Sequence, residues 1–243
     1  MSEDTQTTEH NQEKLPLIGE TAPSFSATTT QGQIDFPGDY QGKWVMLFSH
    51  PADFTPVCTT EFMTFASMVD EFKAVNCELI GLSIDSNYSH IAWLRTIQEK
   101  IEFKGMKGLE VTFPVIADLK MEVAAKYGMV QPSEDDTHAV RAVFVIDPEA
   151  KIRAILYYPL SLGRNFDELL RVVVALQTAD EKSCATPANW RPGDDVIVPP
   201  PGTCGLAKER VEGADSGGYA CHDWFLCLKP IDKSELKLPP SMK

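Results

Sequence analysis

The sequence predicts an α/β domain, a central sheet with helices on its faces, followed by an extended C-terminal arm. Three observations carry this. From Leu17 to Thr178, short β-branched runs alternate with segments of helical period, the pattern of a sheet whose strands are joined through helices. One run, Ala142-Val-Phe-Val-Ile146, is apolar without alternation, as a strand covered on both faces must be. Beyond Ala179 the texture changes to the Pro- and Gly-rich stretch Arg191-Pro-Gly-Asp-Asp through Pro199-Pro-Pro-Gly202, then a polar segment to Gly218.

The elements follow in order. Met1 to Lys14 is polar with no apolar run, so residues 1–16 are expected to be a flexible N-terminus without the character of a signal peptide. Residues 17–178 form the expected sheet domain, with strands at Trp44–Ser49, Leu79–Ile84, Phe113–Ile116, Ala142–Ile146 and Ile152–Tyr157. Helical periodicity places Ile91, Leu94 and Ile97 on one face, and Phe166, Leu169, Leu170 and Val173 on another. Residues 179–243 are too poor in apolar side chains to build a separate core. They are expected to lie as an arm on the main domain or on a neighbouring subunit, anchored by Tyr219, Trp224 and Phe225.

Composition narrows the function classes. Hydrophobic residues make up 43% and charged residues 23%, normal for a globular chain. The formal net charge of −13 repels phosphate backbones and anionic bilayers, so neither nucleic acid nor membrane is an expected partner. No stretch approaches the ~18 apolar residues of a membrane span, and a cytoplasmic location is expected. In such a reducing compartment, the six cysteines (58, 77, 184, 204, 221 and 227) read as redox-active or buried thiols rather than a structural disulfide set. No C-x-x-C pair occurs, so no metal site is expected, and a ligand set of Cys221, His222 and Cys227 lacks the usual spacing.

Cys58 stands out. Pro56 is suited to a helix start and Thr55 to its N-cap. Apolar residues then recur at 58, 62, 65, 69 and 72, an inward-facing stripe. Cys58 therefore shares a buried face and also lies in the first turn. Burial disfavours its thiolate, whereas the helix N-terminus favours it. A cation from elsewhere in the fold would decide the balance.

The segment Ser49-His-Pro-Ala-Asp-Phe-Thr-Pro-Val-Cys-Thr-Thr-Glu61 closely resembles the peroxiredoxin active-site pattern P-x-x-x-T-x-x-C, in the spelling of the one-cysteine subgroup. The likeness continues through Leu82-Ser-Ile-Asp-Ser, Phe113-Pro-Val-Ile-Ala-Asp, Arg141-Ala-Val-Phe-Val-Ile-Asp-Pro, Gly163-Arg-Asn-Phe-Asp-Glu and Cys184-Ala-Thr-Pro-Ala-Asn-Trp190. It implies a thioredoxin-like fold and a peroxidase acting on hydrogen peroxide and alkyl hydroperoxides through a Cys58 sulfenic acid, with no cofactor. By the same resemblance Thr55 hydrogen-bonds the thiolate or peroxide and Pro51 shields the pocket. Arg141 supplies the cation, and Glu61 and Arg164 hold it in place.

The arm segment Tyr219-Ala-Cys-His-Asp-Trp-Phe-Leu-Cys227 resembles archaeal-type members in which a C-terminal cysteine resolves the sulfenic acid across a subunit boundary. Cys227 is then the favoured resolving residue, with Cys221 as alternative or relay through a Cys221–Cys227 disulfide. Thioredoxin or a similar dithiol is the implied reductant, and a dimer, assembled as a pentamer of dimers, the implied oligomer. Alternatives are a true one-cysteine peroxidase served by an external thiol, and an assembled ring with a chaperone-like role. A phospholipase activity of some relatives uses a Gly-Asp-Ser-x-Gly element that reads Gly38-Asp-Tyr-Gln-Gly42 here, so its nucleophile is missing although His50 matches. Cys77 reads as a small core residue, and Cys184 and Cys204 carry no motif.

Overall fold

In the computed structural model, residues 15–213 and 217–243 are described; the expected flexible N-terminus lies, up to residue 14, outside them. The strands are β1 (Phe25–Thr29), β2 (Gly32–Phe36), β3 (Trp44–Ser49), β4 (Cys77–Ser83), β5 (Glu102–Phe103), β6 (Met106–Lys107), β7 (Val115–Ala117), β8 (Arg141–Ile146) and β9 (Ile152–Tyr158). The helices among them are α1 (Pro56–Ala74), α2 (Asn87–Lys100), α3 (Glu122–Lys126) and α4 (Phe166–Lys182). Seven strands form one sheet in the order β2-β1-β7-β4-β3-β8-β9. β3, β4 and β7 run parallel, while β8 and β9 add antiparallel at one side. This is the expected thioredoxin-like α/β arrangement.

The period of two along a strand divides the core into two layers. Met46 and Phe48 of β3 and Val143 and Val145 of β8 face one cluster, which also takes in α1, α2 and α4. Val45, Leu47, Ala142, Phe144 and Ile146 face the other, closed by α3 and the β1–β2 hairpin. All six residues of β3 and all six of β8 are buried, which is why β8 reads as an unbroken apolar run. The α1 stripe is buried at 58, 62, 65, 69 and 72, as its spacing requires.

In α2 the buried face differs by one residue from the expected one. Ile91 is 47% exposed, whereas His90, Trp93 and Ile97 are buried. The histidine can turn inward because its ring is hydrogen-bonded there to Asp53 and to the Ile116 carbonyl.

The arm after α4 is more structured than its composition suggests. It contains β10 (Val196–Val198), α5 (Cys204–Glu212), β11 (Ala220–Asp223) and β12 (Leu226–Lys229), with the strands in the order β10-β12-β11. Within the chain, two of the three aromatics expected as its anchor do not serve as one. Trp224 and Phe225 are exposed, because they occupy the β11–β12 turn. The arm is instead fixed by Trp190, Val196 and Leu238, which join the α1/α4 core. Trp190 Nε1 donates to the Asp194 carbonyl at 3.1 Å, and near the C-terminus the Ser241 amide donates to Glu71 of α1 at 2.9 Å.

Trp190→Ala removes the largest buried side chain of the arm. It is expected to destabilise the protein by about 3–5 kcal/mol and to expose the segment after residue 183 to proteolysis; denaturant titration and limited digestion check this.

Candidate active site

Cys58 is the third residue of α1, behind Pro56 at the first helical position. The first intrahelical bond runs from the Thr59 amide to the Thr55 carbonyl at 3.0 Å, so the amides of Val57 and Cys58 precede the ladder at the electropositive helix end. The thiol is free and 0% exposed. Thr55 occupies the cap position, but its hydroxyl donates to the Ala52 carbonyl at 2.9 Å and bonds no helix amide. It thereby braces the turn that carries Pro51, itself buried.

The cation arrives from β8. Arg141 Nη1 lies 3.3 Å from Cys58 Sγ and 2.8 Å from Glu61 Oε2. Its Nε and Nη2 donate to the Leu160 carbonyl at 3.2 and 2.9 Å. Glu61, one turn after Cys58 on α1, also receives Arg164 through its backbone amide (2.8 Å), Nε (3.0 Å) and Nη2 (2.7 Å). Arg164 Nη1 reaches back to the Ser49 and Ala142 carbonyls, and its guanidinium lies over Phe48 and Phe65 at 5.1 and 5.5 Å. Burial would push the Glu61 carboxyl up, but the charge and hydrogen bonds of Arg164, then the charge of Arg141, hold it below the ordinary carboxylate range. Two guanidinium groups and one carboxylate leave a single buried positive charge, which a Cys58 thiolate would neutralise.

A second buried group, which sequence reading missed, stands beside this one. Asp53 receives His50 Nε2 at 3.0 Å and His90 Nδ1 at 2.9 Å, while His90 Nε2 meets the Ile116 carbonyl at 3.2 Å. Burial would raise the Asp53 carboxyl, yet its bonds to the two imidazoles hold it well below its usual range. Burial pushes the His50 imidazole down, against the pull of Asp53. His50 Nδ1 has no hydrogen-bond partner, and its ring packs between Phe62 and Trp93 at 4.7 and 5.2 Å. Among the described residues this trio is the one cluster with ligand atoms close enough for a metal ion. Within it, His50 Nε2 and His90 Nδ1 are already engaged with the Asp53 carboxylate. The signal in sequence was weak, since the three residues are separated by 3 and 37 positions.

The arm cysteines lie elsewhere. Cys221 and Cys227 face each other across the β11–β12 pair and form a disulfide. That leaves no free thiolate for a metal set with His222. Cys77 is buried in β4, where burial and then Glu78 push its thiol up; Cys184 is half-buried and Cys204 exposed. Tyr40, which replaces the phospholipase nucleophile, packs its ring on Phe36 at 5.9 Å.

Comparison with known proteins agrees with this geometry. Residues 18–155 match the AhpC/TSA family, and residues 175–213 match the C-terminal domain of 1-Cys peroxiredoxin. A peroxiredoxin of Methanosarcina mazei is 68% identical over 88% of this chain and 98% of its own. One from Aquifex aeolicus is 52% identical over 89% and 98%. The solved yeast mitochondrial 1-Cys peroxiredoxin, studied for thiol resolution via glutathione/thioredoxin systems, superposes with a TM-score of 0.77 at 41% identity, covering 89% of this chain and all of the other. A variant of peroxiredoxin 6 from Arenicola marina gives 0.74 at 38% identity, covering 88% and 97%.

Glu61→Gln leaves two buried guanidinium groups against no carboxylate, and is expected to cost about 3–5 kcal/mol, read by denaturant titration. Because the folded pKa of Glu61 is depressed, its contribution is complete above the unfolded value of about 4.3 and fades as the pH falls through the lower folded value. The stability of the Gln variant should therefore decline less steeply than wild type below about pH 4.3.

Proposed function

The chain belongs to the peroxiredoxin family, and on that premise we propose that it reduces hydrogen peroxide and organic hydroperoxides through Cys58 and is resolved by its own C-terminal arm. The observation that carries the reading is Arg141 Nη1 at 3.3 Å from Cys58 Sγ, in a cluster whose net positive charge favours an anion at that sulfur. Thiolate Cys58 attacks one peroxide oxygen, the O–O bond breaks, and the departing oxygen takes a proton to leave as water or alcohol. Cys58 is left as sulfenic acid. The Arg141 guanidinium, held by Glu61 and the Leu160 carbonyl, is placed to stabilise charge on the departing oxygen. The Thr55 hydroxyl, at the helix mouth, is the nearby group able to turn toward peroxide, and Pro51 narrows access. Arg164 holds Glu61 rather than touching the sulfur.

The second half follows from the missing partner at Thr55, where a second thiol would be needed for a local disulfide. Within one chain neither arm sulfur is bonded to Cys58, and Cys221 and Cys227 are joined to each other. We assign Cys227 of a second copy as the thiol that condenses with the sulfenic acid, releasing water. Cys221 then displaces Cys58 from that bond, and the arm disulfide is the form handed to a dithiol reductant. The second copy has a natural seat: β9 is an edge strand of seven residues with one neighbour in the sheet, and such edges invite pairing. No helix among the described residues is long and apolar enough to cross a membrane.

Peroxide consumption should vanish in Cys58→Ser. The Cys58–Cys227 bond joins two chains only until Cys221 displaces it, so peroxide-oxidised Cys221→Ser should accumulate as a dimer on a non-reducing gel. If Cys221→Ser forms no such dimer and Cys227→Ser keeps full thioredoxin-coupled turnover, resolution by Cys227 is wrong and the enzyme is a one-cysteine peroxidase.

A further inference from the structure

The two arm sulfurs are not equivalent. β12 is the central strand of the three-stranded arm sheet and β11 its edge. Cys227, on β12, is 0% exposed, whereas Cys221, on β11, is half-buried. Displacement at a disulfide proceeds in line with the S–S bond, with the nucleophile opposite the leaving sulfur. An approach to Cys221 comes from the open flank of the edge strand. An approach to Cys227 would have to come from the β10 side, where that residue is fully buried.

An apolar groove of about 630 Å³ runs beside this hairpin, lined by Pro201, Cys204, Ala207, Val211 and Trp224. Its helix, α5, also borders the more accessible of the two sulfurs: Cys221 Sγ lies 4.0 Å from the Arg210 carbonyl. Trp224, 42% exposed, and Phe225, 54% exposed, project from the turn that closes the disulfide loop. A small thiol has no use for such a surface. A protein carrying an accessible dithiol does, because α5 lines the groove and also lies beside Cys221 on the edge strand β11, and edge strands are ready sites for an added strand.

We propose that reducing equivalents enter through Cys221: a protein dithiol docks on the α5–Trp224 groove and its thiolate attacks the Cys221 sulfur, expelling Cys227. This rests on the reading above, in which the arm disulfide is the species to be reduced. A bond forms between the reductant sulfur and Cys221 Sγ, and the Cys221–Cys227 bond breaks. The electron pair goes to Cys227, which takes a proton; its thiol then has the Asp223 carbonyl at 3.5 Å as acceptor. The second thiol of the reductant attacks its own sulfur in the mixed disulfide and releases Cys221, which is protonated in turn. The net change is one disulfide reduced to two thiols and one dithiol oxidised to a disulfide.

The test is to trap the intermediate on the full, peroxide-oxidised protein, using a thioredoxin whose second active-site cysteine is changed to serine, and to map the mixed disulfide by mass spectrometry. The expected adduct is on Cys221. An adduct on Cys227 overturns the direction of entry alone. An adduct on Cys58, with no arm disulfide formed after peroxide, overturns the resolving reading beneath it. For docking, the measure is the ratio of reduction rates with thioredoxin and with dithiothreitol, which should fall about tenfold in Trp224→Ala. An unchanged ratio rejects the groove as the docking surface, and so does a change in oligomeric mass, which would assign the groove to a second copy.

Discussion

The carboxylate of Glu61, gripped by two arginines, is the interaction on which the rest of the site depends. It ties four separate pieces of chain together. Glu61 belongs to α1, Arg141 opens β8, Arg164 precedes α4, and through Arg164 the bond reaches the Ser49 carbonyl at the end of β3. All of these elements pack into one shared hydrophobic layer, and the ion cluster sets their ends to within a hydrogen bond. Buried charges are costly unless paired and bonded, and here the pairing is deliberately incomplete. The unbalanced charge sits beside Cys58 Sγ, so the cost of burying it becomes a preference for an anion at that sulfur.

The helix end alone would be a weaker device. A helix N-terminus contributes about 0.3–1 kcal/mol in exposed positions, while the stripe that places Cys58 inward works against its ionisation. The Arg141 cation beside the sulfur offsets the burial penalty on a Cys58 thiolate, as the proposed chemistry requires. The neighbouring His50–Asp53–His90 group makes a different contribution. It locks the turn between β3 and α1 against α2, and Trp93 reinforces the lock by donating to Thr59 at 3.2 Å while stacking on His50. The loop bearing Pro51 and Thr55 is therefore held from both sides.

How much of this was legible follows from which forces leave a local pattern. The α1 stripe and the apolar run of β8 are periodic and covered on the expected faces, so both were readable residue by residue. The pairing of Glu61 with Arg141 and Arg164 spans 80 and 103 positions and leaves no periodic trace; only the resemblance to a family pointed to it. In α2, apolar counting chose Ile91, but the fold buries His90 instead, because two acceptors satisfy its ring. The arm misled in the same way. Its most conspicuous aromatics, Trp224 and Phe225, sit at a turn in solvent, and the anchor is Trp190, closer in sequence to the domain it joins.

That inversion bears on how the arm works. A segment fixed by Trp190, Val196 and Leu238 and ending against Glu71 of α1 is docked at both ends, so the disulfide hairpin between them is presented rather than loose. Local opening favours regions with few buried apolar contacts, and the hairpin is such a region: of its two strands, Cys227 alone is buried. Under the proposed cycle the hairpin releases Cys227 to a sulfenic acid and then closes on Cys221 again, which this weak packing between firm anchors would permit. The exposed aromatics that fail as an anchor are thus consistent with an arm built to exchange its sulfur partners without leaving the domain.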